Sequence, residues 1–221
     1  MDGFTPKKGK VAMSKKLTKA QFIEMLKAAA AIIEERHPML SKLDEATGDG
    51  DHGVTILRTM RAVTHAISEN SEKPLSELIK SIAMKIMMCD GGSTSPLLGS
   101  YFLGLATKAP DDELTSEQTA NMFEAGLVGF KATSKAEPGN KTMMDAFAPA
   151  TEALVGELRK SGEIETAFSL AAEKAAEGAE KTKAYVAKFG RARLMGERSI
   201  GHLDPGATSI SFLFEGFATA L

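Results

Sequence analysis

Cysteine is nearly absent: Cys89 is the only one in 221 residues, which excludes an internal disulfide and any multi-cysteine zinc site and fits a reducing cytosol. Cys89 itself reads as a packing residue. A charge excess is missing too, since 27 basic against 29 acidic residues leave a net charge of -2, and nothing electrostatic argues for nucleic acid. No apolar run approaches the roughly 18 residues of a membrane span, and the basic start M-D-G-F-T-P-K-K-G-K lacks the apolar centre of a secretory signal. These absences predict a cytoplasmic protein without membrane or nucleic-acid contacts. Residues 1-16 are expected to form a flexible arm and 17-221 a single domain. Met13 is a candidate natural start, with the residues before it a leader or an extension.

Strand alternation is also lacking, and helical periodicity takes its place. Thr18 with Gln21 reads as a capping box, followed by Phe22, Met25, Leu26, Ala29, Ile32 and Ile33 at spacings of three and four, and the helix is predicted to end at Pro38. Val54, Leu57, Met60 and Ile67 mark a second helix, and Pro74 opens a third that Gly91 and Gly92 stop. Further helices are predicted over 95–106, from the Thr115 and Gln118 cap to about 131, over 142–161, over 166–189 and over 205–221. Gly178 inside the seventh is expected to cost about 1 kcal/mol relative to Ala. The fold class predicted is all-α, with eight helices and the chemistry gathered in loops at one end.

The stretch L-D-E-A-T-G-D-G-D-H-G brings Asp44, Asp49 and Asp51 within eight positions, with glycines between them. Converging carboxylates repel unless a divalent cation sits among them, so this pattern suits a hard metal ion. A calcium EF-hand is excluded: counted from Asp49, position 6 is Val54 and position 12 is Met60. A polar turn between helices is the bland alternative.

Three more loops carry chemistry. C-D-G-G-S-T-S-P-L-L-G-S, over 89–100, places Ser93 and Thr94 before an apolar helix, where unsatisfied amides and the helix dipole attract anions. It is not a Walker A loop, and a plain helix cap is the alternative. K-A-E-P-G-N-K-T-M-M-D-A, over 135–146, puts Lys141 at a helix start, where a cation is misplaced unless an anion lies beside it. G-R-A-R-L-M-G-E-R-S-I-G-H-L-D-P-G-A-T-S, over 190–209, gathers Arg191, Arg193 and Arg198 among glycines, and guanidinium forks suit phosphate oxygens.

In this order, G-D-G-D-H-G, G-G-S-T-S-P-L-L-G, A-E-P-G-N-K-T-M-M-D and G-E-R-S-I-G-H-L-D-P-G-A-T-S resemble the nucleotide-binding L subunit (DhaL type) of bacterial dihydroxyacetone kinase, over nearly the whole chain from Leu17. The resemblance implies an eight-helix antiparallel barrel with ADP or ATP at one end. It implies that Asp44, Asp49 and Asp51 are the catalytic metal ligands, holding two Mg²⁺ ions that bridge the phosphates. His52, Gly53 and Thr55 would lie beside those phosphates, with Ser93 and Thr94 donating. Met143 and Arg191 would border adenine and ribose, and the Asp204, Pro205, Gly206 turn would close the pocket. The family commonly has Asn where Thr55 and Leu57 stand, Gly at Thr59 and Ser134, and S-G-P at Thr94, Ser95, Pro96; these departures bear on substrate and donor more than on the metal site. The implied activity is phosphoryl transfer to a ketose held on a separate K subunit, from ATP or from ADP recharged by a phosphohistidine M subunit of the phosphotransferase system. An ATP-dependent erythrulose kinase subunit, a nucleotide-sensing partner of a transcription factor and a homodimeric state are the alternatives.

Overall fold

The computed structural model describes residues 15–110 and 112–221, and among them eight α-helices follow one another: α1 (Lys19–Glu45), α2 (His52–Asn70), α3 (Leu75–Met87), α4 (Thr94–Lys108), α5 (Ser116–Ser134), α6 (Met144–Lys160), α7 (Ile164–Lys181) and α8 (Pro205–Thr219). Each packs against the next and α1 closes on α8, so short connections produce an up-and-down ring. The all-α antiparallel barrel expected from the sequence is the fold observed. Its interior is filled: the Phe123 ring lies 6.5, 5.1 and 6.1 Å from those of Phe22, Phe168 and Phe217. Phe147 meets Tyr101, Phe130 and Phe214 in a second cluster. Burying one such ring contributes roughly 1.5–3 kcal/mol. No helix among the described residues is long and apolar enough to cross a membrane.

Both predicted capping boxes are present. Gln21 N–H donates to Thr18 Oγ1 at 3.2 Å while Thr18 N–H donates to Gln21 Oε1 at 3.0 Å, and Thr115 and Gln118 repeat the exchange. Each cap ends a short strand, β1 (Lys16–Thr18) or β2 (Glu113–Thr115), and the two pair antiparallel with buried Leu17 opposite buried Leu114. Three residues are too few to show alternation, which is why the sequence predicts no strand. Of the predicted arm, positions 1–14 lie outside the described residues, whereas Lys16 is already paired with Thr115. This ribbon joins the starts of α1 and α5. The acidic loop lies at the other end of α1, whose 27 residues span about 40 Å.

Two predicted helix ends are corrected. α1 runs through Pro38 to Glu45 instead of stopping at the proline. Proline removes one hydrogen bond and clashes with the preceding turn, at roughly 3 kcal/mol, but the last turns are held by fully buried Leu40 and by α2. The approach is close because Gly53 lacks a side chain: a Cβ there would lie 2.0 Å from the His37 carbonyl oxygen. Asp44 therefore stands on a helix, not in a loop. At the seventh helix the sequence predicts continuation to Phe189, whereas α7 ends at Lys181 and one 3-10 turn, Thr182–Ala184, follows. The Thr182 carbonyl accepts the Tyr185 amide in that turn and the Lys141 ammonium beside it.

Candidate functional site

Asp44 in the last turn of α1, Asp49 in the loop and Asp51 just before α2 converge until oxygens of all three lie within 4.8 Å of one another. The loop is wound on Asp44: its carbonyl accepts the amides of Thr47 and Gly48, and its carboxylate accepts the His52 amide at 3.2 Å. Gly50 has φ +78°, a conformation that side chains disfavour, and it turns the chain between the two loop carboxylates. Desolvation and then the charges of Asp49 and Asp44 raise the Asp51 pKa, against the Arg191 guanidinium. An all-oxygen donor set that holds its own charges this close fits a hard divalent cation.

Arg191 reaches the same loop, its guanidinium 2.8 Å from Asp49 Oδ2. The structure thus brings Arg191 to the acidic cluster, while its neighbour Gly190 lines the cavity described below. Arg193 and Arg198, also singled out in the sequence, are exposed.

His52 opens α2, and its Nε2 lies 3.1 Å from Ser209 Oγ on α8. Ser209 Oγ also lies 2.8 Å from the Gly206 carbonyl; with the hydroxyl donating there, the ring nitrogen donates to Ser209 as the Nε2–H tautomer. Desolvation, opposed by Asp44, pushes its pKa down to about 4. Gly53 and Thr55 are buried, and Thr55 Oγ1 donates to the His52 carbonyl at 3.0 Å, stiffening this first turn.

Across from α2, Ser93 precedes α4 without a side-chain cap, and Thr94 is buried in its first turn. Gly92 has φ +55°, and a Cβ there would meet only Thr55 Cγ2, at 3.8 Å. The space in front of α4 is open. If this loop meets phosphate, as the resemblance implies, Gly92→Val is expected to lower nucleotide affinity at least tenfold by narrowing that space and straining the turn, with helix content preserved. Calorimetric titration with ADP checks this; unchanged affinity in a folded variant reduces the loop to an ordinary helix start.

Beside this loop lies a cavity of about 420 Å³ whose apolar lining includes Leu97, Phe130, Met143 and Phe189. Asp204 and Gly206 form its edge, Pro205 starts α8 behind them, and a Cβ on Gly206 would lie 2.9 Å from Met143 Cγ. Larger grooves of about 560 and 690 Å³ lie along α1 and α2 at their far end and along α4 and α5. Neither contains a member of the acidic cluster.

Asp204 caps α8, accepting the Ala207 amide at 2.6 Å. Desolvation raises its pKa to about 7; the Ala207 amide and Lys141 pull it down, and Asp145 and Asp44 push it up. The folded protein thus keeps a proton that the unfolded chain, near the ordinary 3.8, has released. The resulting stability is fully present below that value and is lost as pH rises to about 7. Asp204→Asn, which preserves a good cap, is expected to gain stability relative to the parent as pH rises from 4 to 8. Thermal unfolding across that range checks it, and parallel profiles contradict it.

The local sequence patterns do not by themselves single out Ser209, Asp145 or Phe189 as site residues. Ser209 and Asp145 stand inside the quoted motifs, and an acidic residue in the first turn of α6 was a usable signal. Phe189 was hidden inside a helix predicted too long.

The DAK2 domain family model matches residues 46–219. The ADP-binding subunit DhaL of PEP-dependent dihydroxyacetone kinase 1 from Listeria innocua is 36% identical over 182 residues, 82% of this chain and 86% of that protein. The corresponding DhaL subunit of Escherichia coli is 34% identical over 206 residues, 92% of this chain and 98% of that one. Among solved structures, the dihydroxyacetone kinase of C. freundii in complex with AMP-PNP and Mg²⁺ superposes with a TM-score of 0.70 at 21% identity, covering 100% of this chain and 38% of that one. At that identity the structural likeness speaks for the fold alone. The family match and the two sequence relatives establish that this chain belongs to the DAK2 domain family, among the DhaL-type subunits of bacterial dihydroxyacetone kinase.

Proposed function

We propose that this chain is the nucleotide-binding subunit of a cytoplasmic short-ketose kinase, acting on dihydroxyacetone held by a separate K subunit. The observation that carries the reading is a triad of carboxylates within 4.8 Å beside an uncapped helix start and an apolar cavity. Asp44, Asp49 and Asp51 are the metal ligands in this reading, with room in their chemistry for two Mg²⁺ ions. When bound, Mg²⁺ neutralises phosphate charge and polarises the transferring group.

The chain's own residues do the positioning. The first turn of α4, with Ser93 and Thr94, directs amides and hydroxyls at phosphate oxygens. Met143, Phe189 and the 204–206 turn receive the adenosine half and exclude water from it. His52, neutral and hydrogen-bonded to Ser209, holds the start of α2 against α8. Arg191, paired with Asp49 in this structure, has an exposed guanidinium free to turn toward phosphate or ribose, because exposed ion pairs contribute at most about 1 kcal/mol.

The names of the DhaL relatives, ADP-binding and PEP-dependent, support a nucleotide retained as ADP and recharged by a phosphohistidine M subunit. One experiment tests the division of labour. The isolated chain with Mg-ATP is expected to phosphorylate neither dihydroxyacetone nor erythrulose, and a cognate K subunit is expected to restore transfer. Robust sugar phosphate production by the chain alone contradicts the split site, and full activity on ATP without any phosphohistidine protein rejects recharging.

A further inference from the structure

Lys141 is a cation placed where a cation is least favoured. It is 2% exposed, it lies just before the positive end of the α6 dipole, and its backbone is left-handed at φ 59°. Non-glycine residues seldom adopt that conformation. Strain and a buried charge coincide at one residue, a combination that surrounding structure must over-determine.

Its contacts show what the ammonium does. Nζ donates to the Thr182 carbonyl at 2.6 Å and to the His202 carbonyl. Thr182 follows α7, and its hydroxyl accepts the Asp204 amide at 2.9 Å. His202 lies two residues before Asp204, the cap of α8. On the lysine's own loop, the Asp145 carboxylate accepts the amides of Gly139 at 2.5 Å and Thr142 at 2.7 Å. A single ammonium therefore joins three segments: 139–145, the end of α7, and 202–206. Two of these line the cavity, and they meet there, with Met143 against Gly206. Burial pushes the Lys141 pKa down, and the neighbouring carboxyl groups of Asp204 and Asp145 oppose that shift.

We propose that Lys141 is a positioning residue for nucleotide binding: by tying the 139–145 loop to the carbonyls of Thr182 and His202, it holds Met143 and the 204–206 turn together as the part of the cavity lining that receives the adenosine half. It takes no part in phosphoryl transfer. This rests on the reading of the cavity as the adenosine site.

The test separates the two halves of the ligand. Lys141→Met fills similar space but removes the ammonium from both carbonyls, leaving Thr182 with the Tyr185 amide alone. It is expected to weaken Mg-ADP binding roughly 100-fold, the scale on which losing a hydrogen bond to a charged group acts, while the affinity for Mg-pyrophosphate, which engages only the acidic loop and the start of α4, changes less than threefold. Lys141→Arg, which keeps a cationic donor, is expected to recover at least tenfold of the lost ADP affinity. Should Lys141→Met fail to fold, Lys141→Gln, which keeps one donor and buries no charge, carries the same expectation with at least a tenfold ADP loss. Equal losses for ADP and pyrophosphate in a folded variant, an unaltered ADP affinity, or no recovery with Arg overturns the proposal. Absence of Mg-ADP binding in the parent protein would instead remove the nucleotide reading itself.

Discussion

Asp49→Asn is expected to lower Mg-ADP affinity and turnover with a K subunit by roughly 100- to 1,000-fold, the range found when one preorganised electrostatic group is removed from a phosphoryl or acyl transfer site. Asp49 is both a member of the triad and the partner of Arg191. Asn retains the size and loses the charge, so the fold is expected to persist. Asp51→Asn separates repulsion from ligation. Since its neighbours Asp49 and Asp44 disfavour a charged Asp51, that variant is expected to unfold at a higher temperature than the parent in EDTA and to lose the extra stability that Mg-ADP gives the parent. Circular dichroism melts in both buffers check this. A variant with normal Mg-ADP stabilisation places the metal elsewhere.

Gly178→Val is expected to cost about 3 kcal/mol, at the upper end of overpacking effects, which for a chain of this size lowers Tm by roughly 6–12 °C. A Cβ at this position would lie 2.0 Å from the Asp145 carbonyl oxygen and 3.1 Å from the Ala146 Cα. Backbone is hard to displace, so α6 and α7 must separate. Because Asp145 also folds the 139–142 loop through its carboxylate, the same variant is expected to weaken ADP binding at temperatures where it remains folded. Gly156→Ala on the exposed face of α6 is the control: nothing lies within 4 Å of its Cβ, and a gain of up to about 1 kcal/mol is expected from helix propensity. Equal stability of both variants would mean that the helices do not approach this closely.

Gly178 also shows where the sequence is readable and where it stops. Periodicity finds the helices that bury one face, as α2 does, whereas α8 is buried nearly all round and shows as an apolar segment behind a proline; a glycine inside either pattern looks merely tolerated. Its necessity depends on a neighbouring helix 33 positions away, which no local pattern encodes. Pro38 misleads for the same reason. Local chemistry predicts a stop, and Leu40 with the Gly53 contact overrides it. The acidic triad was legible because its three members are close in sequence. The pairing of His52 with Ser209 spans 157 positions and was not. Lys141 reads as a misplaced cation, yet its partners, the carbonyls of Thr182 and His202, carry no side-chain signature at all.

The central claim is that the acidic loop holds the metal through which the nucleotide is bound, and calorimetric titration of the full chain with ADP tests it most directly. The account predicts clear binding in excess Mg²⁺, loss of at least 100-fold in EDTA, and the same loss in Mg²⁺ for the variant with Asp44, Asp49 and Asp51 all changed to Asn. Equal ADP affinity in Mg²⁺ and in EDTA, or in the parent and the triple variant, would contradict it.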